Sequence, residues 1–331
     1  MKIGITIGDI NGVGIEVILK ALSNEKILEM FTPVIYGSSK AVSYYKNIVN
    51  SDLNFVSNKD PQRASKNKIN VVNCWEDTVN ITVGQATKEG GKCAHIALDR
   101  AVQDLKDHKI DALVTAPINK HTMDPDRFPY AGHTEYLTKS FDISESLMFM
   151  ISEDLRIGVA TNHIPVREIP EHFTKDLLKK KINIMELSLK RDFGIEKPTI
   201  AILGMNPHAG DSGKLGSEET DIIRPVIIEM KKGGRLVMGP FPSDGFFGSG
   251  EYKKFDGILA CYHDQGLIPF KTLSFGSGIN YTAGLPIVRT SPDHGTAYDI
   301  AGKNEADESS IRNAMYLAID IVNNRKIFSE N

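Results

Sequence analysis

Three histidines in this chain each close a short apolar run: Ala160-Thr161-Asn162-His163, Gly204-Met205-Asn206-Pro207-His208 and Ala260-Cys261-Tyr262-His263. Imidazole is a good donor to divalent metals, and three of them leave coordination positions open for a substrate. If the apolar runs are strands of a parallel sheet, their carboxyl ends share one edge, where ligands of α/β proteins bind. A lone histidine is usually a hydrogen-bonded structural residue. The repeated context of these three points instead to one cation held by His163, His208 and His263.

Other segments carry groups for an anionic, hydroxylated ligand. Gly132-His133-Thr134-Glu135 sets an imidazole and a hydroxyl beside a glycine, and Lys271, Asn280 and Arg289 follow His263 in a glycine-rich stretch. Cationic side chains with an amide suit carboxylate and phosphate. Isolated basic residues are usually solvated, so it is their placement after His263 that favours ligand contact. Gly8-Asp9-Ile10-Asn11-Gly12-Val13-Gly14 lies where a phosphate loop would sit. Its spacing matches neither G-x-G-x-x-G nor the P-loop, and the next strand ends at Tyr36-Gly37-Ser38 without the acidic residue of a Rossmann site. A tight strand-to-helix turn is the competing reading.

These groups need a scaffold. Ile3–Ile7 precedes a helical pattern at Val13–Leu22, Pro33–Tyr36 precedes Lys40–Tyr45, and Ala112–Val114 follows Leu98–Leu105, whose Leu98, Ala101, Val102 and Leu105 share a helical face. Arg156–Ala160, a helix over Asp176–Lys190, Thr199–Leu203 and Gly257–Ala260 repeat the theme. Such alternation predicts an α/β fold with a parallel sheet covered by helices, in two α/β units. Ile311, Met315, Ala318, Ile319 and Val322 predict a C-terminal helix ending near Asn323 and Asn324. Phe241–Gly250, with its glycines and Pro242, reads as a loop.

The totals exclude some functions. The 331 residues are 41% hydrophobic with a formal net charge of -3, which suits a globular protein with a small substrate and argues against a nucleic-acid binder. Cys74, Cys93 and Cys261 form no C-x-x-C pair, so neither a disulfide framework nor a cysteine zinc site is expected. With no secretion signal and no apolar run of membrane-spanning length, a cytoplasmic protein away from the membrane is expected.

In order, GDINGVGIE, AGHTEYL, LGMNPHAGDSG, YHDQGL and GLPIVRTSPDHGTA resemble the 4-hydroxythreonine-4-phosphate dehydrogenase family over nearly the whole chain. The resemblance implies a fold like that of isocitrate and isopropylmalate dehydrogenases, with two α/β/α domains flanking a cleft. A cofactor-side domain would span 1–128 plus 270–331, and a metal, substrate and dimerisation domain 129–269. It implies a homodimer with shared active sites. His163, His208 and His263 would be the ligands of one divalent ion (zinc, magnesium or cobalt), and His133, Thr134, Lys271, Asn280 and Arg289 would bind substrate. His294–Lys303 resembles the adenosine-binding loop of the β-decarboxylating dehydrogenases. By that likeness His294, Gly295, Asp299 and Asp307 would contact the cofactor, and Asp299 favours NAD over NADP by repelling a 2′-phosphate. Where the family commonly has proline and alanine after its first Gly-Asp, this chain has Ile10 and Asn11.

The implied reaction is NAD-linked oxidation of 4-phosphooxy-threonine followed by decarboxylation, in pyridoxine phosphate biosynthesis. Asp244, Lys271 and His133 are all open as its general base. Paralogues acting on phosphorylated four-carbon sugar acids share the three histidines. A metal-dependent hydrolase or lyase would explain the histidines but not His294–Lys303, and a catalytically silent metabolite binder would be expected to lose a metal position.

Overall fold

The computed structural model describes residues 1–24, 26–274 and 276–330. Its strands in chain order are β1 (Lys2–Thr6), β2 (Thr32–Gly37), β3 (Phe55–Asn58), β4 (Ile69–Asn73), β5 (Ala112–Thr115), β6 (Leu147–Ser152), β7 (Leu155–Thr161), β8 (Thr199–Leu203), β9 (Leu236–Phe241), β10 (Gly257–Tyr262), β11 (Ile279–Ala283) and β12 (Arg289–Pro292). The chain forms two compact units, Met1–Phe141 with Pro286–Asn323, and Asp142–Leu285 with Asn324–Asn331. This division differs from the 1–128 plus 270–331 and 129–269 expected from the sequence. The helix His133–Ser140 belongs to the first unit because Tyr136 stacks on Phe128, with ring centroids 5.2 Å apart. Asn280 belongs to the second because β11 pairs with β6.

In the first unit the strand order is β3-β4-β2-β1-β5-β12, all parallel. Ile3 and Ile5 of β1 and Ile7 just beyond it are wholly buried, as a parallel sheet covered on both faces requires. The helix predicted around Leu98 runs much further, over Lys88–Lys106, capped by Thr87, whose hydroxyl accepts from Gly90 N at 3.1 Å. Its first turn hides from a periodicity search because Gly90 and Gly91 are not apolar. They are glycine for clearance: a Cβ on Gly91 would lie 2.0 Å from Thr122 O.

In the second unit the order is β11-β6-β7-β10-β8-β9. The sheet is mixed, not parallel: β6 runs antiparallel to β7 and to β11, while β7, β10, β8 and β9 are mutually parallel. β6 and β7 are separated only by Glu153 and Asp154, too few residues for a parallel crossover. Met148, Met150, Ile157, Val159, Ala201, Leu203, Ile258 and Ala260 alternate along four strands to form one core face. Leu267 and Phe270 of the helix His263–Ser274 cover it, with Phe246. Phe246 lies in Phe241–Gly250, which is therefore not a loop: Phe241 ends β9 and Ser243–Gly248 is a short helix anchored by that ring.

The C-terminal helix also departs from expectation, running over Ser309–Glu330 past Asn323 and Asn324. Here the asparagine is no stop signal, since Asn324 Nδ2 donates to Asp192 O at 2.8 Å and Arg325 Nε donates to Asp192 Oδ1 at 2.7 Å. Asp192 is fully buried and also accepts from Tyr281 Oη at 2.6 Å and Ser188 Oγ at 2.8 Å. Burial alone would raise its pKa, but Arg191 and Arg325 hold it below the ordinary carboxylate range.

Candidate active site

In the second unit β7, β10 and β8 are adjacent and parallel, so their carboxyl ends lie on one edge. His163 follows β7, His263 opens the helix after β10, and His208 follows β8. The rings of His163 and His263 are 5.4 Å apart between centroids, a spacing that suits two ligands of one ion. His263 Nδ1 is 2.7 Å from Asp264 Oδ1, a contact that orients the ring and leaves Nε2 as the nitrogen that could meet a metal. These two histidines line a cavity of about 510 Å³ with Asn162, Met205, Asn206, Glu218 and Asp264. His208 lines a neighbouring cleft of about 770 Å³ with Asp244, Asp264 and Gln265. Among the described residues no three His, Cys, Asp or Glu side chains gather closely enough to hold one ion. The donor chemistry of the histidines fits a divalent metal, with two on one chain brought together and the third presented apart.

His208 sits in an unusual backbone. His208, Ala209, Gly210, Asp211 and Ser212 all have positive φ, from 39° to 82°. Such a run needs support from outside itself. Glu219 supplies it: its Oε1 accepts from Asn206 N at 2.7 Å and its Oε2 from Asn206 Nδ2 at 3.0 Å. Gln265 performs a similar task nearby. Its Oε1 accepts from Cys261 N at 2.7 Å, and its Nε2 donates to Ser243 Oγ at 2.8 Å and to Gly204 O, joining the ends of β10 and β8. The sequence reading singled out neither residue. Gln265 follows a histidine by two positions, but no spacing marks Glu219.

The substrate-binding candidates divide between the units. In the first, Arg289 on β12 is almost wholly buried, and its Nε and Nη2 donate to Thr115 Oγ1 at 3.1 and 2.7 Å. Burial pulls its pKa down to about 9 against the opposing charge of Glu135. His133 opens the helix His133–Ser140, and Thr134 is buried beside it. The His133 pKa lies well below its usual range, first through burial and then through the positive charges of Arg289 and Lys120. Its Nε2 is buried without a hydrogen-bond partner. A neutral imidazole among buried and exposed cations is a setting for an anion, and Lys120 joins it from a position sequence reasoning did not mark. In the second unit Lys271 is exposed on the helix His263–Ser274, and Asn280 has a buried Oδ1 with no hydrogen-bond partner.

The cofactor candidates lie in the first unit. Gly295 faces open space, Asp299 is exposed, and His294 Nε2 is buried without a partner. Asp307 has a structural task, since its Oδ1 accepts from Ser309 N at 2.6 Å at the start of the C-terminal helix. Gly8–Gly14 is not a phosphate loop. The amides of Asp9, Asn11, Gly12 and Val13 donate to Pro117 O, Asp9 Oδ1, Asp9 O and Thr296 O, so they are not available to a phosphate. Asn11 Nδ2 donates to Thr87 Oγ1 at 2.8 Å and its Oδ1 accepts from Thr82 N at 2.7 Å, so this departure from the family pattern is a structural tie.

The chain is of the α/β class, with histidines at the carboxyl ends of three adjacent parallel strands. A solved β-decarboxylating dehydrogenase from Thermococcus kodakarensis shares the fold at 14% identity, with a TM-score of 0.50 over 97% of this chain and 83% of that one. Residues 29–318 match the family described as pyridoxal phosphate biosynthetic protein PdxA, and the chain belongs to that family. It is 51% identical to 4-hydroxythreonine-4-phosphate dehydrogenase of Bacteroides thetaiotaomicron, over 98% of this chain and 90% of the relative. A putative D-threonate 4-phosphate dehydrogenase of Oceanobacillus iheyensis is 35% identical over 96% of this chain and 97% of its own. The solved 4-hydroxythreonine-4-phosphate dehydrogenase of Klebsiella pneumoniae superposes with a TM-score of 0.84 at 32% identity, over 97% of this chain and 98% of that one.

Proposed function

We propose that this chain oxidises the C3 hydroxyl of 4-phosphooxy-L-threonine, with NAD as acceptor and a divalent cation bound by histidines. The carbon gives up a hydride and the hydroxyl a proton, leaving 2-amino-3-oxo-4-phosphooxybutanoate. Loss of its carboxylate as carbon dioxide, with a proton taken up at the carbon it leaves, then gives 3-amino-2-oxopropyl phosphate. The observation that carries the reading is the delivery of His163, His208 and His263 by three adjacent parallel strands, in a chain 51% identical to a protein bearing that enzyme's name.

When bound, the cation supplies Lewis acidity at the substrate oxygen and NAD supplies the hydride acceptor. The chain's own residues do the rest. Arg289, held by Thr115, and Lys271 bind the anionic ends of the substrate, while His133 and Thr134 orient it. Asp264 fixes the His263 ring. The proton passes to Asp244, Lys271 or His133. Asp299 on the exposed loop favours NAD over the 2′-phosphorylated cofactor. The active form is a homodimer in which the His208 of one copy completes the site of the other copy's His163 and His263.

The 35% identity to a putative D-threonate 4-phosphate dehydrogenase supports a second reading, oxidation of a phosphorylated four-carbon sugar acid that lacks the amino group. Following absorbance at the NADH band with 4-phosphooxy-L-threonine, phosphothreonate and phosphoerythronate separates the two. The first substrate should give by far the highest kcat/KM, and prior chelation should abolish it. A higher value for either sugar acid transfers the assignment, and full activity after verified metal removal rejects the metal site.

A further inference from the structure

We infer that the buried carboxylates of Asp9 and Glu16 are positioning residues for the dinucleotide, holding the segment from His294 to Ala306 in the shape that receives its adenosine half. The inference rests on the cofactor role proposed above for that segment. It gives the Gly8–Glu16 motif, whose amides are closed to phosphate, a task of its own.

Both carboxylates belong to side chains that are essentially inaccessible, 1% exposed at Asp9 and 0% at Glu16. Burying a carboxylate is unfavourable unless specific donors meet it, and besides Asn11 N, Thr122 and Lys20 the donors here come from one segment. Asp9 Oδ2 accepts from Tyr298 Oη at 2.8 Å, with Thr122 Oγ1 further off at 3.4 Å. Glu16 Oε2 accepts from Gly302 N at 3.1 Å and its Oε1 from Ala306 N at 3.2 Å. Lys20, one helical turn on and 3.3 Å from Glu16, donates to Asn304 O at 2.9 Å and Ala306 O at 2.8 Å. The backbone adds Val13 N to Thr296 O at 3.0 Å, a contact that admits only glycine at position 12, where a Cβ would lie 2.7 Å from the same oxygen.

The attachments fall at residues 296, 298, 302, 304 and 306. Among those between and before them, Gly295 faces open space and Asp299 is exposed. The segment also turns through left-handed Ala297 (φ 43°) and Asn304 (φ 60°), which it would not keep without such ties. A ligand that meets a segment already in its bound shape does not have to order it, so these hydrogen bonds act on dinucleotide affinity. A purely stabilising network would change the melting temperature and leave affinity alone.

The test uses the full chain, with NADH as the probe. Tyr298→Phe removes one hydroxyl, and Glu16→Gln keeps shape while losing charge. In each, the Kd for NADH measured by fluorescence and the KM for NAD should rise about 3- to 10-fold, the scale of a lost hydrogen bond. The kcat at saturating NAD and the KM for the phosphorylated substrate should stay near wild type. Gly295→Trp, which fills the open space, should abolish NADH binding. Unchanged NADH affinity in Tyr298→Phe, with Gly295→Trp defective, overturns the positioning inference alone. Unchanged affinity in Gly295→Trp overturns the cofactor role of the segment and the inference with it. If Glu16→Gln does not fold, Tyr298→Phe decides.

Discussion

His133 is the residue at which stability and chemistry are most closely linked. Burial and the cations Arg289 and Lys120 hold it neutral, with a pKa well below the ordinary 6.5. In the unfolded chain the ring takes up a proton near 6.5; in the fold it does so only at much lower pH. The unfolded state therefore binds more protons in that window, and the stability linked to this ring is complete above pH 6.5 and declines as pH falls through the folded value. His133→Gln should flatten that decline, visible as urea midpoints that fall less than those of wild type between about pH 6.5 and 5. Parallel decline in the two proteins would mean the ring is not held neutral. At this scale the sequence was informative about residue types at strand ends but silent about their supports. Glu219 and Gln265 serve through distances that fold back across 13 and 61 residues, to Asn206 and Gly204, and no local pattern encodes that.

Among the elements, those with a clear period were legible, because a helix or strand buried on one face shows it directly. The exceptions have local causes. The Lys88–Lys106 helix begins with glycines that serve close packing, so its apolar stripe starts late. β6 runs as an unbroken apolar stretch, Leu147–Ile151, that periodicity alone does not assign. The loop after β1 has the position of a phosphate loop but the hydrogen bonding of a joint. The first case gives a prediction whose sign is decided by magnitudes. Helix propensity alone makes alanine better than glycine by about 1 kcal/mol in a helix interior. At Gly91 the new Cβ meets backbone rather than a side chain that can turn away, and such overpacking costs about 1–3 kcal/mol. Packing should win, so Gly91→Ala should lower the denaturation midpoint; a higher midpoint would show that the helix shifts freely off Thr122.

At the scale of the whole molecule, the separation of His208 from the adjacent His163 and His263 makes the dimer testable by mixing inactive partners. If one copy's His208 meets the other's pair, a heterodimer of His163→Ala with His208→Ala has one site with both lesions and one intact. Random mixing then restores about a quarter of wild-type activity. Mixing His163→Ala with His263→Ala should restore nothing, because each site keeps one lesion. Recovery in the second mixture but not the first would reverse the assignment of the crossing histidine. The hub at Asp192 has a consequence of another kind, for where the chain can be shortened. Residues 326–330 have exposed side chains, and a variant shortened to Arg325 should keep the thermal transition of the full chain. Arg325 and Asn324 are different, because taking them removes one of the two arginines paired with a fully buried carboxylate and leaves it to Arg191 with Tyr281 and Ser188. A variant stopping at Arg325 should thus melt like the full chain, whereas one stopping at Asn323 should become a good protease substrate, a difference that limited proteolysis read by mass spectrometry would show.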